Sequence, residues 1–138
     1  SIINTSSRKN FLFLQWIIDL MNLWKKRRYN IKAFPGIVIY TDTINRVCDV
    51  YSWIERRAPK RFKKFISKFH ANITDEENRR KKIKDFISPD GSIAILTSTI
   101  SSTGTGLDKP DIRFNIIVGL PKNIEYYLQV KYIFFISL

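Results

Sequence analysis

Gly36-Ile37-Val38-Ile39-Tyr40-Thr41-Asp42-Thr43 decides the fold, because a short β-branched run follows a glycine and leads straight into a Thr-Asp-Thr cluster. Four consecutive apolar residues are too few for a buried helix and suit a strand covered on both faces. Hydroxyl and carboxylate side chains immediately after it are the types that cap a helix N-terminus. The helix is expected at once: Ile44, Val47, Val50, Tyr51 and Ile54 recur at spacings of three and four, and Pro59 closes the pattern.

The same alternation continues outward. Thr74-Asp75-Glu76-Glu77 reads as a capping box opening a helix whose inner side is Ile83, Phe86 and Ile87. Pro89-Asp90-Gly91 reads as a turn before a strand at Ile93-Ala94-Ile95-Leu96, and Phe114-Asn115-Ile116-Ile117-Val118 as a further strand. Pro121 suits the first turn of a final short helix reaching Gln129. Towards the N-terminus, residues 11–15 are expected to add a strand and residues 16–28 a helix. Alternating strands and helices predict an α/β fold with an open, largely parallel sheet and helices on both faces.

Composition sets the outer limits. The 138 residues are 44% apolar and 26% charged, which suits one domain with a modest core. Lys and Arg number 24 against 12 Asp and Glu, and ten of the twelve net positive charges fall in residues 1–65. They concentrate in Lys25-Lys26-Arg27-Arg28 and in Arg56, Arg57, Lys60, Arg61, Lys63 and Lys64, with Trp24, Tyr29, Phe62 and Phe65 interleaved. Such runs either meet phosphates, releasing counterions, or form a solvated surface. One Cys and one His exclude an intrachain disulfide and a Cys/His zinc site. Residues 11–24 are interrupted by Gln15, Asp19 and Asn22, and the apolar run of residues 132–138 is far too short to span a bilayer, so a soluble chain is expected. That aromatic tail reads as a divergent or truncated end.

Ligands of open parallel sheets sit beyond the carboxyl ends of the strands, which directs attention to the loops after Tyr40, Leu96 and Val118. Ser101-Ser102-Thr103-Gly104-Thr105-Gly106-Leu107-Asp108 packs hydroxyls and two glycines after a strand, either as a flexible surface loop or as a loop whose amides approach a phosphate. No GxxxxGK[ST] occurs, so the chain alone has no recognisable triphosphate cradle. Cys48 lies within an amphipathic helix and reads as a small hydrophobe rather than a nucleophile. His70 follows a strand and, by composition alone, reads as structural. Asp75, Glu76 and Glu77 are accounted for by the dipole of the helix they open.

Taken in order, several segments resemble the second RecA-like domain of RecQ-family DNA helicases. Gly36-Ile37-Val38-Ile39-Tyr40 resembles the motif IV strand. Phe69-His70-Ala71-Asn72-Ile73-Thr74-Asp75-Glu76-Glu77-Asn78-Arg79 resembles the stretch that follows it. Thr103-Gly104-Thr105-Gly106-Leu107-Asp108-Lys109-Pro110-Asp111-Ile112-Arg113-Phe114 resembles motif V, and Leu120-Pro121-Lys122-Asn123-Ile124-Glu125-Tyr126-Tyr127-Leu128-Gln129 resembles the lead-in to motif VI.

The resemblance implies a RecA-like sheet, and a 3'-to-5' DNA helicase that couples ATP hydrolysis to unwinding and serves DNA repair and recombination. It implies that Gly104, Gly106 and Asp108 face a nucleotide. It implies that Tyr40, Thr41, His70, Ser98, Thr99, Ser102 and Thr103 lie along the tracking nucleic acid. ATP with Mg2+ is expected only in a full-length parent, whose first RecA-like domain in cis would complete the cleft. No catalytic residue and no metal ligand is expected in this segment. The expected partner is DNA, as single strand and duplex junction, with no membrane, and the expected location is the nucleus in a eukaryote or otherwise the cytoplasm.

The implied division is a lead-in strand and basic helix over residues 1–35, a helicase C-terminal domain over residues 36–129, and a divergent tail over residues 130–138. Departures from the family pattern limit the expectation. Val130-Lys131-Tyr132-Ile133-Phe134 stands where the family carries the Gly-Arg-rich motif VI with its arginine fingers, Asn72 stands where glycine is usual, and Ile100-Ser101-Ser102 lengthens motif V. The segment alone is therefore expected to lack ATPase and helicase activity. Two other readings stand beside it: a noncatalytic nucleic-acid-binding or regulatory module, and the second domain of a DEAD-box-type RNA helicase.

Overall fold

A computed structural model describes residues 2–4, 11–27, 30–31, 34–69, 76–87, 93–99, 112–118 and 133–137. Six strands form one sheet: β1 (Ile2–Asn4), β2 (Gly36–Thr41), β3 (Ile66–Phe69), β4 (Ile95–Thr99), β5 (Ile112–Val118) and β6 (Ile133–Ser137). Their order is β1-β6-β5-β2-β4-β3, and every neighbouring pair is parallel. Among the described residues the helices are α1 (Gln15–Arg27), α2 (Ile44–Arg57) and α3 (Glu76–Ile87).

The deciding stretch behaves as its residues require. β2 is buried along its whole length, flanked by β4 and β5. It gives way to α2, whose apolar stripe of Val47, Val50 and Ile54, joined by Trp53, is buried. α2 ends at Arg57, and Ala58 is already extended (φ −67°, ψ 147°), the conformation imposed on a residue that precedes proline.

Handedness then places the layers. The connection β2-α2-β3 moves two places along the sheet in one direction, while β3-α3-β4 moves one place back. Parallel crossovers are right-handed, so opposite steps put α2 and α3 on opposite faces. The core follows suit. Ile37, Ile39, Ile95, Ile116 and Val118 join Ile17, Met21, Val50 and Ile54 in one cluster under α1 and α2. Val38, Leu96, Ile117 and Phe86 are buried outside that cluster, as expected for the face that α3 covers.

α1 crosses the amino-terminal edge of the sheet. Trp16 meets Phe114 of β5 edge-on at 5.0 Å, while Trp24 meets Phe62 at 5.3 Å and Phe65, just before β3, at 6.0 Å. Eight residues of helix cover about 12 Å. Three strand spacings from β5 to β3 cover about 14 Å, so the helix strides across strands rather than along them.

Three sequence expectations are corrected. Residues 11–15 form no strand: Leu12–Leu14 is a 3-10 turn leading into α1, closed by Leu14 N–H donating to Phe11 O at 2.8 Å. Phe11 is buried and packs edge-on against Trp53 at 6.5 Å, so the aromatic run folds back onto α2. The strand expected at residues 93–96 begins at Ile95 and continues through Thr97, Ser98 and Thr99. Finally, β1 and β6, not foreseen, extend the sheet, with Ile2 registering on Phe135 and Ile117 on Phe135. The expected capping residue Thr74, the turn at residues 89–91 and the helix at residues 121–129 lie outside the described residues.

Candidate functional site

Because the strands are parallel, β2, β4 and β5 all end at one edge. Thr41 registers with Thr99 on one side and Val118 on the other, and Tyr40 with Ser98 and Ile117. Ser98 registers in turn with Phe69, the residue before His70. Four of the residues proposed from sequence, Tyr40, Thr41, Ser98 and Thr99, are thus brought together from strands far apart in the chain. His70, Ser102, Thr103, Gly104, Gly106 and Asp108 lie outside the described residues.

The four are strand residues, and all are buried. Two of their hydroxyls are committed locally: Thr41 Oγ1 donates to Thr43 O at 3.1 Å and Ser98 Oγ to Thr99 O at 2.9 Å. Ser98 and Thr99 therefore do not sit in a loop after Leu96. What the edge supplies chemically is a buried rim, together with the N-terminus of α2.

That N-terminus is built with care. Thr43 is extended (φ −135°, ψ 157°) and its Oγ1 accepts from Arg46 N–H at 3.2 Å. Asp42 holds the Arg46 guanidinium, with Nη1 at 3.0 Å from both carboxylate oxygens. The carboxylate also complements the positive end of the helix dipole. Sequence reading passed over Arg46, although the four-residue spacing from Asp42 was its signal. Thr43→Ala is expected to lower stability by about 1 kcal/mol, the usual worth of a hydroxyl N-cap. Thermal melting checks it, and an unchanged midpoint would mean that the cap contributes nothing.

Thr97, two residues before the end of β4, was also missed. Its Oγ1 is buried with no hydrogen-bond partner among the described residues. Elsewhere, Lys68 extends towards α2, with Nζ 5.2 Å from the Tyr51 ring centre and 4.0 Å from the half-buried Cys48 Sγ. Lys82 Nζ donates to Lys68 O at 3.1 Å. Burial, and then the Lys68 charge, pull the Lys82 ammonium below the ordinary lysine value. Burial, and then Glu55, push the Tyr51 phenol up. Among the described residues no group of His, Cys, Asp and Glu could hold a metal ion, and no helix is long and apolar enough to cross a membrane.

An all-parallel sheet with helices on both faces is a RecA-like architecture. The chain belongs to the helicase conserved C-terminal domain family, whose profile matches residues 7–131. It is similar to the ATP-dependent DNA helicase Q4 of Homo sapiens, 30% identical over 119 residues, covering 80% of this chain and 9% of that protein. It is also similar to the ATP-dependent helicase wrn-1 of Caenorhabditis elegans, 34% identical over 112 residues, covering 80% of this chain and 10% of that protein. Both are RecQ-type helicases. The chain spans about a tenth of the length of these curated relatives. Among solved structures, Mss116p DEAD-box helicase domain 2 bound to an RNA duplex shares the fold, with a TM-score of 0.67 and 19% identity over 99% of this chain and 52% of that one.

Proposed function

We propose that this chain is the second motor domain of a RecQ-type, ATP-dependent 3'-to-5' DNA helicase, working in DNA repair and recombination and, in a eukaryote, in the nucleus. The observation that carries the reading is the helicase C-terminal match across residues 7–131 in a chain whose β2, β4 and β5 end side by side. Residues 36–129 would form the motor domain proper, with residues 1–35 leading in and residues 130–138 following.

In this reading the rim of Tyr40, Thr41, Ser98 and Thr99 holds the loops rather than offering its own hydroxyls, since two of those hydroxyls are bonded to backbone carbonyls. His70, Ser102 and Thr103 would meet the tracking strand. Gly104, Gly106 and Asp108 would face ATP with Mg2+, whose hydrolysis supplies the energy of translocation when a first RecA-like domain completes the cleft.

The isolated chain is expected to bind single-stranded DNA and to turn over no ATP. DNA-stimulated ATP hydrolysis by the chain alone would overturn its role as half of a cleft. Stronger unwinding of RNA than of DNA by an intact parent would overturn the DNA assignment.

A further inference from the structure

The two basic runs are separated by some thirty residues in sequence, yet the fold joins them. Residues 20–41 and 56–74 contain no Asp or Glu at all. Trp24, which opens the first run, packs against Phe62 and Phe65, which bracket Lys63 and Lys64 of the second. Phe34 closes the same corner at 4.7 Å from Phe62. Lys25, Lys26, Arg27, Lys60, Arg61 and Lys64 are all exposed around this aromatic knot.

Little opposes that charge. Among the described residues, Lys63 pairs with Glu55 at 3.7 Å, while Lys25, Lys26, Lys60 and Arg61 have no ion-pair partner. Arg56 and Arg57 are tied to the C-terminal turn of α2, donating to Ser52 O and Trp53 O, and Arg57 stacks on the Trp53 ring at 4.2 Å. Their charges stay at the corner. A surface meant only for solubility mixes signs, whereas concentrated like charge raises the field at one place and awaits a polyanion.

We propose that this corner is a docking surface for a nucleic-acid phosphate backbone, separate from the carboxyl edge. Phe65 O accepts from Ala94 N–H and Ala94 O from Ile37 N–H, which places residues 60–65 at the amino-terminal ends of β3, β4 and β2. From Ile37 to Thr41 the sheet is about 13 Å long. A backbone lying on the corner is therefore a different stretch of nucleic acid from one at the rim. Cations spread over a helix end and a turn suit a repeating line of phosphates better than one small anion. Phe62 is fully buried, and the partly buried Trp24 and Phe65 pack edge-on against it.

The test is binding of the 138-residue chain to a short fluorescent DNA duplex of random sequence, titrated across salt concentrations. Each neutralised phosphate contributes about −0.9 to the slope of log K against log salt. Lys25→Gln with Lys26→Gln and Arg27→Gln is expected to flatten the slope by about 2 to 3 units, and Lys60→Gln with Arg61→Gln and Lys64→Gln by a similar amount. Lys81→Gln with Lys84→Gln, on α3, is expected to leave it unchanged, and matching melting curves establish that every variant folds. Flattening by one triple alone, equal flattening by the α3 pair, or binding to anionic vesicles with none to DNA would each overturn the proposal. The result does not depend on motor function, because a chain that contributes to no ATPase would give the same slopes.

Discussion

Phe62→Ala is expected to lower the unfolding free energy by about 3–5 kcal/mol, the usual loss when a buried Phe is truncated. Against a total of about 5–15 kcal/mol for a domain, that approaches unfolding. Phe62 is completely buried and sits among three aromatic rings: Phe34 at 4.7 Å, Trp24 at 5.3 Å and Phe65 at 5.7 Å. Its backbone also closes the turn after α2, with Phe62 N–H donating to Pro59 O at 2.8 Å. Those neighbours come from different parts of the chain and cannot all collapse into the void. Phe62→Leu fills much of the space and is expected to lose less than half as much. Urea unfolding of both variants checks the ranking. A loss below about 1 kcal/mol for the alanine variant, typical of a surface change, would mean that the corner is not packed around this ring.

Thr97→Val carries the opposite sign, with an expected gain of about 1–3 kcal/mol from deleting a buried hydroxyl that lacks a partner. Thr97 is fully buried in β4, in register with Ile39 of β2 and Lys68 of β3, and its Oγ1 finds no partner among the described residues. Valine keeps the β-branched shape that a central strand favours and removes only the desolvation cost. A raised melting midpoint is the expected reading. A lowered one would show that the hydroxyl is hydrogen-bonded in solution, most directly to an ordered water.

How much could be read from the residues varies by element, for identifiable reasons. β2, β5 and α2 were legible because β-branched runs, a hydroxyl cap and three- and four-residue spacing are local signals. β4 was placed too early because Thr97, Ser98 and Thr99 look like loop residues. They are buried in a strand, where a short hydroxyl can bond to backbone, as Ser98 does to Thr99 O. β1 and β6 escaped notice because each is short and gains its place by pairing with the far end of the chain, Ile3 with Ile136. At the candidate site, sequence named Tyr40, Thr41, Ser98 and Thr99, and strand register brings these four side by side. Sequence signalled burial for Tyr40 but not for Thr41, Ser98 and Thr99, nor did it show that Asp42 and Arg46 clasp each other beside them.

By itself the sequence determined the alternation of strands and helices, the excess of positive charge and its concentration in two runs, and the resemblance that the family match bears out. Each depends on side-chain type and on spacing within a few residues, where steric preference and backbone hydrogen bonding act. Tertiary structure alone decided the order β1-β6-β5-β2-β4-β3, the burial of the hydroxyl rim, and the meeting of Lys25, Lys26 and Arg27 with Lys60, Arg61 and Lys64 across Trp24 and Phe62. Those features rest on contacts between residues remote in the chain. Such contacts exist only once right-handed crossovers and the burial of apolar faces have chosen which strands become neighbours.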